Sequence, residues 1–294
     1  MERSPRIVAF GELLFDLFPD GPRLGGAAAN MAFHAAALGA RALLVSRVGD
    51  DPLGRRARAE LERHGVDVRF VGVDPERPTG SVHVELTDGE PRFSIGEQAA
   101  WDRIEVSPEL ERELAGADAF VFGTLAQRTS LGSGALGRAL ASLAPSCLRI
   151  ADLNVRPPHV SNEALGLALD RASVVKLNEQ EAERVGEALG CDDPVAALFA
   201  RGISVVAVTR GARGAVLHTR NASASHPGFA ALPGGDAVGA GDAFTAALCL
   251  ELCRGTPLER LVARANRYAS FVASHRGAMP EPPRELLAEM AALH

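Results

Sequence analysis

From Ala117 to Thr209 the chain repeats one rhythm, a short β-rich run followed by a helical stretch. The runs are Ala119–Phe122, Leu148–Ala151, Val174–Lys176 and Ser204–Thr209, and helical patterns near 133–143, 162–170, 179–189 and 194–201 separate them. Strands joined by helical crossovers pair in parallel, and a parallel sheet is covered by helices on both faces. The expected fold class is α/β, a three-layer α/β/α sandwich with a mostly parallel sheet. In such sheets ligands bind beyond the carboxyl ends of the strands. Gly123-Thr124, Asp152-Leu-Asn154-Val-Arg156, Lys176-Leu-Asn178-Glu-Gln-Glu181 and Thr209-Arg-Gly211-Ala-Arg-Gly214 each follow a strand. Four polar clusters therefore converge on one crevice.

Upstream, Ile7–Phe10 reads as a first buried strand and Ala42–Val48 as a second, followed by a helix to His64. Between the two strands Asp16 stands among Leu13, Leu14, Phe15, Leu17 and Phe18. A carboxylate buried there needs a partner, which sugar hydroxyls or a nearby backbone can supply. Gly25-Gly26 marks a tight turn into an Ala-rich helix ending near Gly39, with Asn30 on its first turn. From Asp67 to Ile95 no helix intervenes: Ser81–Leu86 alternates, Thr87-Asp-Gly-Glu90 reads as a hairpin turn, and Arg92–Ile95 returns. This predicts a small sheet apart from the main body, a β lid formed by about 12–24 and 67–100 that also offers a homodimer surface. Two helices, about 257–275 and 283–293, close a chain read as one domain over 1–294.

The densest glycine cluster is Leu232-Pro-Gly-Gly-Asp-Ala-Val-Gly-Ala-Gly-Asp-Ala-Phe-Thr245. Phe244, Ala247, Leu248 and Leu252 then recur at helical spacing, predicting a helix from Ala243 to Cys253. Gly239-Ala-Gly241 would sit at its N-terminus, where free N–H groups and the helix dipole favour an anion. Asp242 lies in the same turn. A carboxylate beside an anion cradle suits a general base that deprotonates a hydroxyl attacking a phosphate; as an alternative it is an ordinary N-terminal cap.

Several function classes fall away. The net charge is −6, with acids and bases interspersed, which argues against nucleic acid as a partner. No stretch reaches the roughly 18 apolar residues of a membrane span, and the N-terminal apolar run is too short for a signal peptide, so no membrane partner and a cytoplasmic location are expected. The four cysteines form no Cys-x-x-Cys pair and read as buried thiols. The P-loop, His-Glu-x-x-His and Gly-x-Ser-x-Gly signatures are absent, and no Gly-x-Gly-x-x-Gly follows the first strand. Asn178 and Glu181, three apart, suit either a water-rich Mg²⁺ near phosphates or a capping arrangement at a helix start. Arg156 and Lys176 bring positive charge to the crevice or pair with a nearby acid. Trp101, the single tryptophan, fits core packing first and sugar stacking second.

Five motifs stand in the order and spacing of the ribokinase-like sugar kinases: Gly25-Gly-Ala-Ala-Ala-Asn30, Asp152-x-Asn154-x-Arg156, Asn178-x-x-Glu181, Thr209-x-Gly211-x-x-Gly214 and Asp236-Ala-Val-Gly-Ala-Gly-Asp242. Gly11-Glu12 and Asp152-Leu-Asn-Val-Arg-Pro157 resemble the fructokinase and 2-keto-3-deoxygluconate kinase branch, and the resemblance runs along essentially the whole chain. It implies an ATP-dependent sugar kinase, acting on fructose or a related keto sugar or sugar acid, with Mg²⁺. It implies Asp242 as base, with the Gly239, Ala240 and Gly241 amides as anion hole. Asp16, Gly25, Gly26, Asn30, Thr124 and Arg156 would meet the sugar. Asn178, Thr209, Gly211, Gly214, Gly239, Gly241 and Asn266 would meet the nucleotide. Glu181 and Asn178 would serve Mg²⁺ through water, and Asp236 with the Val238 carbonyl a monovalent cation, K⁺. Val238 stands where threonine is frequent in the family, which leaves a backbone ligand and removes a hydroxyl one. Two alternatives share the fold: a nucleoside kinase, and a non-catalytic sugar- or nucleotide-binding regulator, against which the intact Asp242 speaks.

Overall fold

The computed structural model describes residues 3–87 and 90–293. Its larger sheet collects β1 (Arg6–Phe10), β4 (Arg41–Gly49), β5 (Val71–Asp74), β8 (Ala119–Phe122), β9 (Leu148–Asp152), β10 (Val174–Asn178), β11 (Val205–Thr209), β12 (Ala215–Thr219) and β13 (Ser223–His226). Their order across the sheet is β13-β12-β11-β10-β9-β8-β1-β4-β5. Every pairing from β5 to β11 is parallel, and the β12–β13 edge is antiparallel. The strand order reverses between β1 and β8, the position where an open α/β sheet gapes at its carboxyl ends.

Side chains alternate across the strands and separate two cores. Ile7 and Ala9 face one layer while Val8 and Phe10 face the other. The first layer holds α1 (Ala27–Ala37), α2 (Pro52–Arg63), α8 (Ala240–Cys253), α9 (Leu258–Ala273) and α10 (Arg284–Ala292). The second holds α3 (Pro108–Leu114), α4 (Ser130–Ala141), α5 (Asn162–Arg171), α6 (Glu179–Leu189) and α7 (Pro194–Ala200). Several of these helices start where the sequence supplies an acceptor for otherwise unpaired amides. Asp51 accepts from Gly54 ahead of α2, Ser107 from Leu110 ahead of α3, and Thr129 from Gly132 ahead of α4.

A separate four-stranded sheet has the order β3-β2-β6-β7, from β2 (Leu14–Phe18), β3 (Gly21–Gly25), β6 (Gly80–Thr87) and β7 (Glu90–Ile95). It is smaller than the lid expected from sequence. Val71–Asp74 pairs in parallel with β4 and so extends the main sheet. Apolar alternation by itself did not say which sheet this strand joins. Two residues of the expected Thr87–Glu90 turn lie outside the described residues. At the base of the small sheet Trp101 is fully buried, and the Arg128 guanidinium lies 3.9 Å over its ring. Arg128 also makes a two-bond ion pair with Asp102, so Trp101 packs the joint between the sheets and has no face for a sugar.

Candidate active site

The helix α8 begins at Ala240, three residues earlier than its apolar periodicity predicts. Gly239 takes a left-handed conformation (φ 78°) and serves as the N-cap residue, so Gly-Ala-Gly-Asp is the first turn itself. The helix start leaves first-turn amides without intrahelical acceptors, aimed beyond the strand ends. Just before it Ala237 is also left-handed (φ 56°), a conformation that costs a residue with a Cβ about 1–2 kcal/mol. Asp236 holds this approach closed: its carboxylate accepts from the Val238 and Gly277 amides.

Asp242 makes no capping bond. Its Oδ2 instead accepts from the Asn30 side chain of α1 at 2.7 Å, which fixes the amide's orientation and leaves the buried Asn30 Oδ1 without a donor. Burial, followed by the negative charge of Asp152, pushes the Asp242 carboxyl up to about 7, while Asn30 and Lys176 pull the other way. A carboxylate poised there is a competent base near neutral pH.

Behind the cradle lies a buried polar chain. Lys176, in the middle of β10, places its ammonium 3.0 Å from Asp152 at the end of β9, and the other Asp152 oxygen accepts from Thr245 of α8 at 2.6 Å. Burial works against the Lys176 charge, but Asp152, Glu181 and Asp242 outweigh it and hold the ammonium protonated. A Cβ on Gly241 would come within 3.1 Å of that ammonium, so glycine lets the helix start close against a fixed positive charge. Glu12, also buried, accepts from the Ala27 amide and lines a small cavity with Asp152 and Asp242. Lys176 was legible as a crevice charge or an acid's partner, and Glu12 only as half of a Gly-Glu pair; burial, which gives both their weight, is not written in either.

The remaining expectations separate clearly. Thr209, Gly211, Gly214, Gly241 and Asn266 all border one cleft of about 630 Å³ that reaches from the β11–β12 turn to the head of α8. Arg156 is exposed and, with Pro157, Pro158 and His159, faces Ser94–Glu97 of the small sheet across a second space of about 600 Å³. Asp16 lies on β2 beside Gly25, whose missing Cβ leaves room for the carboxylate, and Gly26 turns the chain (φ 101°) against the Glu12 carbonyl. Among the described residues no donor reaches Asp16. Burial raises its pKa to about 6 against the pull of Arg23.

One expectation needs correction, and two meet carboxylates already engaged by backbone amides. Thr124 is fully buried and donates to the Leu153 carbonyl at 2.6 Å, tying two strand ends together out of a substrate's reach. Asn178 and Glu181 form a reciprocal capping box at the start of α6, and Glu181 also accepts from the Val155 amide at 2.8 Å. Both Glu181 oxygens are thus engaged by backbone, so this pair shapes the Asp152–Arg156 loop rather than presenting a free carboxylate. Asp236 is likewise occupied by two amides. Among the described residues no three His, Cys, Asp or Glu side chains group as a metal site.

Comparison with known proteins supplies the family. The model of the pfkB family carbohydrate kinases matches residues 21–284. A fructokinase of Salmonella typhimurium is 31% identical over 95% of this chain and 97% of its own. Among solved structures, a Xylella fastidiosa fructokinase with bound ATP superposes with a TM-score of 0.87 at 23% identity, covering 97% of this chain and 99% of that one. The Vibrio cholerae O395 fructokinase in its fructose-, ADP- and calcium-bound form gives 0.81 at 25% identity, with 99% of each chain covered. With a cleft ending at a helix N-terminus, a carboxylate poised at that turn, and a family match over residues 21–284, one assignment follows: the chain belongs to the pfkB family of carbohydrate kinases.

Proposed function

We propose that this enzyme transfers the γ-phosphoryl group of ATP to a hydroxyl of a keto sugar, fructose first among candidates. The observation that carries the reading is Asp242, a half-buried carboxylate with a raised pKa in the first turn of α8. The sugar hydroxyl gives its proton to Asp242 as its oxygen bonds to the γ-phosphorus; the bond to the β-phosphate oxygen breaks, and ADP leaves. The first-turn amides and the Lys176 ammonium face the charge on the transferring group. The cleft from Thr209 to Asn266 takes the nucleoside. Asn30 Oδ1, buried and lacking a donor, and Asp16 accept from sugar hydroxyls. Arg156 meets the sugar from the far side.

Mg²⁺ supplies charge neutralisation across the phosphates. The engaged Glu181 would hold it only at a distance, through water. For a monovalent cation the candidates are the Val238 carbonyl and the Asp236 carboxylate, which accepts two amides and keeps further lone pairs; turnover in K⁺ against Na⁺ tests it. The small sheet serves as a lid over the sugar and, by its strand edges, as a dimer surface, which light scattering would test. The decisive assay is ADP release from Mg-ATP across fructose, other keto sugars, sugar acids and nucleosides. Fructose should lead, and a nucleoside leading would overturn the sugar assignment. No turnover with any acceptor would leave a binding protein.

A further inference from the structure

His34 is fully buried on α1, one helical turn after Asn30, and the chemistry proposed above does not use it. Its Nε2 lies 2.8 Å from the Ala278 carbonyl, and its Nδ1 lies 3.1 Å from the Tyr268 hydroxyl. A carbonyl can only accept, so Nε2 carries the proton and Nδ1 accepts from Tyr268. Burial, which lowers its pKa to about 4, keeps the ring neutral. The carbonyl it holds is not an arbitrary one. Ala278 packs on Gly239, where an added Cβ would stand 2.7 Å from the Ala278 Cα, Cβ and O. The neighbouring Gly277 amide donates to Asp236, and the Asp236 amide donates to the His275 carbonyl. The 275–278 turn is therefore a plate behind the left-handed residues Ala237 and Gly239, and His34 fastens that plate to α1.

Residues four apart on a helix share a face. Asn30 grips the Asp242 side chain while His34 fixes the backing of Gly239, so one face of α1 holds both ends of the turn that forms the cradle. We infer that His34 is a positioning residue for phosphoryl transfer, setting the Gly239–Asp242 amides through Ala278. The inference rests on the kinase reading for its kinetic consequence and on geometry alone for its structural one.

The test compares three variants. His34→Phe keeps the ring that packs edge-on to Tyr268 and removes the donor. It should lower kcat at least about tenfold, since small misplacements of reacting groups cost up to about a hundredfold, and leave the sugar KM unchanged. His34→Gln, which can still donate to Ala278, should restore kcat to within about threefold. Tyr268→Phe removes only the outer bond and should keep wild-type kcat even where it lowers Tm. Amide exchange across 237–243 should quicken in His34→Phe alone. A folded His34→Phe with wild-type kcat and exchange, or a Tyr268→Phe equally slow, overturns the proposal. If His34→Phe does not fold, His34→Asn, too short to span to Ala278, takes its place with the same expectations. If the wild type itself turns over no sugar, the kinase reading fails and the exchange data alone decide the role of His34.

Discussion

The turn at the head of α8 and the four-stranded sheet carrying Asp16 satisfy their polar groups in opposite ways. At the turn, Asp242 has Asn30, Asp152 has Lys176 and Thr245, and Asp236 has two amides. On the small sheet, Asp16 has no donor among the described residues, and burial raises its pKa against the pull of Arg23. A site that must meet the same phosphates every cycle can be finished in advance, and preorganised dipoles need no rearrangement at the moment of reaction. A site that selects one sugar keeps its acceptors unpaired, so that a molecule lacking the matching hydroxyls leaves them unsatisfied. The contrast can be broken from either end.

The largest expected effect is at the turn. Asp242→Asn keeps shape and removes the base, and loss of general-base catalysis lowers rates by about 10²–10⁴; steady-state kcat measures this, with the nucleotide KM expected to stay put. A near-normal kcat would end the assignment of Asp242. Next, Lys176→Met strands Asp152 in the interior. Breaking a buried ion pair from one side costs about 3–5 kcal/mol, which urea unfolding reads, and Lys176→Met with Asp152→Asn should recover much of it. No recovery would mean that Lys176 stabilises through something other than Asp152.

On the selecting side, Asp16→Ala should raise the sugar KM about tenfold, roughly 1.4 kcal/mol, with little change for ATP. An unchanged sugar KM would make Asp16 structural. Its titration adds a sign that needs no substrate. Because the folded pKa, about 6, exceeds the ordinary 3.8, the free enzyme binds more protons folded than unfolded between those values. Stability therefore falls as pH rises through that window. Asp16→Asn should raise the Tm of the free enzyme at pH 8 and leave it unchanged near pH 3.5. The smallest effect couples the two regions. Asn30 stabilises the charged form of Asp242, so Asn30→Ala should move the acid limb of kcat/KM, centred near pH 7, upward by about one unit.

Much of this was legible in the sequence, for reasons that differ by residue. Strand and helix positions followed from pattern because strands buried on both faces read as short continuous apolar runs between helical stretches, and the clusters after β8, β9, β10 and β11 do sit at strand ends. Thr209, Gly211, Gly214 and Asn266 were assigned to one site and border one cleft. Thr124 failed because position after a strand does not say which way a side chain points; its hydroxyl found a carbonyl first. Glu181 shows the limit of a spacing that serves two purposes, since Asn-x-x-Glu suits a capping box as well as a metal. Lys176 was legible as a crevice charge or an acid's partner and does pair with Asp152, whereas His34 escaped because its importance lies in partners far along the chain, and no local pattern announces a long-range contact.

The plate behind Gly239 also sets an order of events. Gly235 and Gly239 press on the backbone of residues 273–278, so the turn proposed to cradle phosphate acquires its backing from a segment made after it. During synthesis the domain grows from its N-terminus. Asp16, Asn30 and His34 leave the ribosome early, and Asp242 follows much later, yet the left-handed turn before Asp242 has nothing to lean on until Ala278 emerges. A nascent chain halted between them would carry every group that handles the sugar and no settled place for the phosphate.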